Sequence, residues 1–392
     1  MPDRVPTFVP FGYSPMAYAG LTKKAAFYDL DKFVAATRKI VLDFQPDIFI
    51  PYFFTSGVAL EILGPERLRW PGHGVPEDSS HQILEMELVK ADEYDLLIEN
   101  PADFIIRTVL PRSSKALAPL KKFPSLTSLA RFAEGIAPIA EMFTDPEIVA
   151  AGKALYEIAQ EQRKGRIAMA ALTKELEELG FPQLSMLPGI SGTPYDFISD
   201  FLRGVRGTML DIYQRPEKLL EAINKLLSII NNPSKSGPKG ETKIVFMAHH
   251  MGGDGFLSPK QFDKFWWPGY KAAVLAAIEV GATPLIYWEG NVTSRLEHFL
   301  EFPEKTVIHM FDKTDVNKAK EVLAGHSCVG GGMSTSILET GTVQEVRNYC
   351  KRLIDTAGKD GGFILGSGHA LDSARLENVK AMIEVAGEYG VK

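Results

Sequence analysis

Between residues 243 and 315 the chain alternates short apolar runs with helix-length segments, a pattern that few folds accommodate. The runs are Ile-Val-Phe-Met-Ala (244–248), Thr-Pro-Leu-Ile-Tyr-Trp (283–288) and Thr-Val-Ile (306–308). Segments 259–280 and 293–302 separate them. Strand, helix, strand in this order builds a parallel sheet. The fold class expected is α/β, as a (β/α)8 TIM-type barrel. Each run closes on polar residues: His249, His250 and Asp254, then Glu289, then His309 and Asp312. Strand C-termini form the active face of such a barrel. One such residue merely caps a strand or loop; three successive strands that end this way point to chemistry.

The rest of the 392 residues fits one barrel domain over 1–392. Residues 1–25 show no period and are expected as an N-terminal extension across the barrel or a partner. A first helix is expected over 29–43, with Asp29 and Asp31 at its positive end. An apolar strand follows over 47–56 with Tyr52 near its end, then a helix over 60–70. Residues 91–110 form two short helices split at Asn100-Pro101. Helical patterns without a strand fill about residues 126–179, an insertion that covers the active face or supports a dimer. Strand character resumes at 183–187, a loop spans 189–195, and 232–241 is a hydrophilic turn. The last two strands open onto Gly330-Gly331-Gly332 and Ser367-Gly368-His369.

Several function classes are disfavoured. The net charge of −6 gives no basic face for nucleic acid or an anionic membrane. No apolar stretch approaches the ~18 residues of a membrane span. The N-terminus lacks a charged leader with an apolar core, so the cytoplasm is the expected compartment. Cys328 and Cys350 make no disulfide framework, and Cys350 has core spacing. There is no G-x-G-x-x-G after a strand, no G-x-x-x-x-G-K-[ST] and no G-x-S-x-G.

What remains is a set of carboxylates and imidazoles at strand ends: His249 or His250, Asp254, Glu289, His309, Asp312 and His369. Such a set can hold Zn²⁺ with an open position, or work as acids and bases without metal. Neighbouring strand residues face opposite sides, so only one of His249 and His250 faces the barrel centre. Phe265, Trp266, Trp267, Tyr270, Tyr287 and Trp288 crowd the same stretch. They pack the core, or they border a pocket for a flat apolar substrate beside Glu289.

Four segments carry a family resemblance: GTPYDFISDFLRGVRGTMLDIYQRPEKLL, HMGGDGFLSPKQFDKFWWPGYK, GGMSTSILETGTVQEVRNYCKRLID and GGFILGSGHALDSARLENVKAM. On these the chain resembles the uroporphyrinogen decarboxylase superfamily, whose fold is an α/β barrel. The Arg-rich N-terminal motif of the true decarboxylases is missing; the segment reads FGYSPMAYAGL. The resemblance therefore implies the cobalamin-dependent methyltransferase branch. Methanol-type and methylamine-type members use a His-x-Cys and a later Cys for zinc, and neither cysteine occurs here. The chain looks most similar to methyltransferases of anaerobic O-demethylase systems, which act on methoxylated aromatics. EDSSHQILEMELVKADEYDLLIENPADFIIRTVLPR and Phe-Asp-Lys-Thr-Asp (311–315) carry that likeness.

That resemblance implies methyl transfer from an aryl methyl ether to the cob(I)alamin of a separate corrinoid protein. The partner would dock over the strand C-termini, and no corrinoid-binding motif of the D-x-H-x-x-G type occurs in the chain. The implied metal is zinc, with Glu289, His309 and Asp312 as its ligands. The relatives place the histidine directly before Phe-Asp, where this chain has Met310. Glu289, His250, Asp254 and His369 are the implied catalytic groups, with His250 or His369 as proton donor and Asp254 orienting it. Tyr52, Tyr287, Trp288 and Trp267 are expected to flank the substrate. The small methylated substrate could instead be methanol, a methylamine or glycine betaine, and the alternative outside this class is a tetrapyrrole decarboxylase. The family habit is a monomer or homodimer.

Overall fold

In the computed structural model, apolar side chains sort into two layers on either side of one curled parallel sheet. The structure describes residues 3–51, 54–125, 137, 140–184, 186–187, 192–232, 237–238 and 242–391. The paired strands are β1 (Thr7–Gly12), β2 (Ile48–Pro51), β3 (Ile244–His249), β4 (Thr283–Trp288), β5 (Ile308–Phe311), β6 (Cys328–Met333) and β7 (Phe363–Ser367). Their order is β2-β1-β7-β6-β5-β4-β3, and all pairings are parallel. Helices such as α1 (Leu30–Phe44), α2 (Trp267–Glu279), α3 (Val343–Thr356) and α4 (Leu376–Glu388) connect or flank the strands. This is a TIM-like α/β architecture.

Seven strands pair among the described residues, where eight are expected of a full barrel. At the remaining position Phe49 bridges to Gln183, and Leu184 N–H donates to the Phe49 carbonyl. Pro182 precedes this segment and supplies no ladder N–H. A second correction concerns the N-terminus. Residues 7–12 form β1, between β2 and β7, and are not an extension. Thr-Phe-Val-Pro-Phe-Gly is buried on both faces, so it shows no alternation to read.

Side-chain parity positions everything at the site. Phe8, Leu285, Tyr287, Ile308, Met310 and Ile364 pack together inside the sheet's curl. Val9, Phe11, Val245, Met247, Ile286, Trp288, Phe311, Val329 and Leu365 pack outward against the helices. Period two along each strand separates these sets, as extended backbone requires.

Other expectations meet mixed outcomes. Asp29 caps α1 by accepting from Lys32 N–H, and Asn100 caps Pro101–Phe104 by accepting from Asp103 N–H. The helix expected over 60–70 stops at Leu63; Leu68–Pro71 joins a small three-stranded sheet with Gly74–Val75 and Gln82–Ile83. Gly64 breaks the helix in a left-handed conformation at φ 59°. Within the expected insertion, Pro146–Glu178 is one 33-residue helix. Residues 126–136, 188–191 and most of the turn at 232–241 lie outside the described residues. Among the described residues no helix is long and apolar enough to cross a membrane.

The triple glycine is a packing device. A Cβ on Gly330 would sit 2.3 Å from Met310 Sδ, and one on Gly331 only 2.2 Å from the Phe311 carbonyl. Gly331 and Gly332 also hold φ of +96° and +81°. Gly331→Ala is therefore expected to lower unfolding free energy by about 3 kcal/mol or more, as read by urea denaturation.

Candidate active site

The helical run after Thr193 sets the position of the first functional side chain. It continues from Pro194–Phe197 into Ile198–Arg203, and Asp196 and Asp200 lie one turn apart on it. Asp196 accepts from the backbone N–H groups of His250 (3.0 Å) and Met251 (3.3 Å) and from Trp266 Nε1 (2.8 Å). These bonds hold the turn that ends β3. Asp200 Oδ2 then meets His250 Nδ1 at 2.6 Å. Asp200 holds the imidazole pKa up at about 9 against the effect of burial, with Glu289 and Asp196 adding to the rise. Burial pushes the Asp196 carboxyl up to about 6 although its donors pull the other way.

Three further strand ends close around this pair. Glu289 follows Leu285 and Tyr287 on the interior row of β4, and Asp312 follows Ile308 and Met310 on β5. Burial raises the Glu289 pKa; His250 and His369 oppose the rise, while Asp312 and Asp200 add to it. His250, His369, Asp312 and Asp200 thus all act electrostatically on Glu289. Asp312 Oδ2 accepts from Gly290 N–H at 3.3 Å. The Tyr287 hydroxyl is buried without a hydrogen-bond partner, and burial, Glu289 and Asp312 all push its pKa up. A cleft of about 230 Å³ opens beside His250 at the seam of the sheet, lined by Phe197, Phe201, Phe246, Asp196 and Asp200.

The opposite parity removes several expected site residues. His309 is fully buried on the outer side of β5. It stacks on Phe299 at 4.7 Å, and its Nδ1 accepts from Trp288 Nε1 at 2.9 Å. Burial drives its pKa down to about 3, so it is a neutral core side chain. Trp288 belongs to the same outer layer, and Trp267 packs there with Phe299 and Phe302 while donating to Glu301 at 3.2 Å. His249, buried among Trp266, Tyr270 and Trp288, is on that side too. Asp254 does not orient His250. It accepts from Ser294 N–H (3.2 Å) and Oγ–H (2.8 Å) and pairs with Arg295, tying two loops together. His369 is exposed at the mouth. Tyr52 lies outside the described residues.

The sequence profile of uroporphyrinogen decarboxylase (URO-D) matches residues 136–389. The chain belongs to the URO-D family. A solved methyltransferase from Methanosarcina mazei has the same fold, with a TM-score of 0.58 over 99% of this chain and 95% of that one, at 16% sequence identity. No curated protein matches the chain in sequence.

The zinc set implied by resemblance does not assemble. Glu289 and Asp312 face the curl, but His309 faces the helices, and the interior position beside it is the thioether of Met310. Among the described residues no group of three or more His, Cys, Asp and Glu is arranged to hold a metal ion. Asp196 and Asp200 are the candidate-site residues that strand-end reasoning misses. Their signal is the four-residue spacing of two acids in Tyr-Asp-Phe-Ile-Ser-Asp, directly after a loop rich in glycine.

The His250–Asp200 pair has a definite pH signature. An imidazole raised from 6.5 to about 9 contributes stability that is complete below about 6.5 and lost as pH rises through about 9. In an NMR titration His250 is expected to titrate near 9 in the native chain, and distinctly lower in Asp200→Asn.

Proposed function

We propose that this chain is a methyltransferase that cleaves the methyl ether of a methoxylated aromatic compound, with the cob(I)alamin of a separate corrinoid protein as methyl acceptor. The observation that carries this reading is His250. It is an imidazolium at neutral pH, gripped by Asp200, and it borders a cleft with three phenylalanines. A ring-sized cavity needs about 150 Å³, so about 230 Å³ accommodates one substituted ring. The likeness in fold to the Methanosarcina mazei methyltransferase supports the reaction class.

The chemistry is a displacement at the methyl carbon. The carbon–oxygen bond breaks, the methyl group goes to the corrinoid's cobalt, and the oxygen keeps the electron pair. Phenolate leaves poorly unless its oxygen gains a proton as charge develops. His250 supplies that proton from Nε2, since Nδ1 is held by Asp200. The product is a neutral phenol and a neutral imidazole, which solvent reprotonates. Asp200 keeps the imidazolium charged, and Glu289 adds to that effect from the end of β4. No step runs through zinc, because these side chains do not form its donor set. The partner docks where the strands end, beside the exposed Met186, Phe201 and Phe256.

The test follows cob(I)alamin loss by absorbance, with a reduced corrinoid protein and a donor panel of methoxybenzoates, methanol, methylamines and glycine betaine. Methyl transfer is expected from methoxyarenes only, to survive a zinc chelator, and to fall as pH rises through about 9. His250→Asn is expected to slow it by about a hundredfold or more. Transfer from glycine betaine or methylamine alone, indifferent to His250→Asn, contradicts the reading.

A further inference from the structure

Among the described residues, every arginine that is not solvent-exposed donates to a carboxylate or a carbonyl, except one. Arg4, Arg107, Arg112, Arg203, Arg215 and Arg347 reach Asp or Glu, Arg69 donates to two carbonyls, and Arg295 donates to the Leu257 carbonyl. Arg67 has no such partner. Its Nε is fully buried and makes no hydrogen bond. A part-buried guanidinium with an orphaned Nε is costly to keep, and the cost is relieved when an anion arrives.

Its placement says where that anion would lie. The Arg67 carbonyl accepts from Leu84 N–H, and the next two residues pair with Gln82–Ile83, so the backbone is anchored. The guanidinium stands over the Phe201 ring at 5.8 Å. Phe201 and Asp200 line the cleft beside His250. Asp200 is within electrostatic reach of Arg67, but its carboxylate is engaged by His250 at 2.6 Å. The cleft therefore carries a proton donor at one end and an uncommitted planar cation at its rim, with an aromatic wall between them.

We propose that Arg67 holds the anionic end of the substrate, so that the ring lies along Phe201 with its methoxyl group toward His250. The preferred donor is then an aromatic carboxylate rather than a neutral methoxyarene. A guanidinium binds a carboxylate through two parallel hydrogen bonds, which fixes orientation as well as affinity. This inference rests on the methyl-ether reading for its substrate, but the anion site itself needs no methyl transfer.

Calorimetric titration separates the two. The probes are para-methoxybenzoate, its neutral isostere para-methoxybenzamide, and benzoate, which has no methyl group to transfer. The native chain is expected to favour the two carboxylates over the amide. Arg67→Gln is expected to weaken carboxylate binding about ten- to hundredfold and to leave the amide unchanged. Arg67→Lys restores part of the loss, since it returns the charge without the fork. Thermal melting of each variant checks folding, and Arg67→Lys carries the test if Arg67→Gln does not fold. Equal binding of carboxylate and amide by the native chain overturns the proposal, and so does an equal loss of both in the variants. Benzoate binding that depends on Arg67, without methyl transfer from any ether, keeps the anion site and removes the functional reading instead.

Discussion

Alternation along the strands is the constraint on which the site depends. A side chain on β3, β4 or β5 either enters the curl of the sheet or packs under the helices, and its neighbour does the reverse. His250, Glu289 and Asp312 fall on one side; His249, Trp288 and His309 fall on the other. The outer set is a continuous aromatic layer, with His249 against Trp288 at 4.1 Å and His309 against Phe299 at 4.7 Å. Both histidines are held neutral by burial and serve as flat core side chains. The inner set stands at the strand ends above an apolar interior.

Within that inner set the electrostatics divide the labour. A half-exposed imidazole beside a committed carboxylate keeps its proton to about pH 9, while burial makes Glu289 reluctant to ionise. Opposed shifts of this kind mark functional carboxylates and imidazoles. Asp196 contributes by holding the backbone of the β3 turn, so that His250 meets Asp200 without a flexible link. Rigid support of this sort is what keeps a proton donor in line with a leaving oxygen.

Much of this is legible in the sequence, and the limits have physical causes. Strand and helix alternation from 243 to 315 gives the architecture directly, and Asp315 caps the helix Val316–Leu323 by accepting from Asn317 N–H. Strand β1 is hidden because both its faces are buried and it spans six residues. At the eighth position only the short bridge of Gln183 and Leu184 to Phe49 is made, directly after Pro182. At the site, parity alone requires that only one of His249 and His250 faces inward, yet it does not say which without a register. The same uncertainty misplaces His309, whose place on the outer row of β5 turns it into the core. Asp200 and Arg67 are invisible to strand-end reasoning because Asp200 stands on a helix and Arg67 on the turn before a small separate sheet.

A crystal structure of the chain with para-methoxybenzoate, grown with zinc in the medium, tests the sorting by parity most directly. The account predicts the ring in the seam cleft beside Phe201, its methoxyl oxygen within hydrogen-bond reach of His250, and His309 still stacked on Phe299. A metal ion bound by Glu289 and His309, or a ring seated among Trp267 and Trp288, would contradict it.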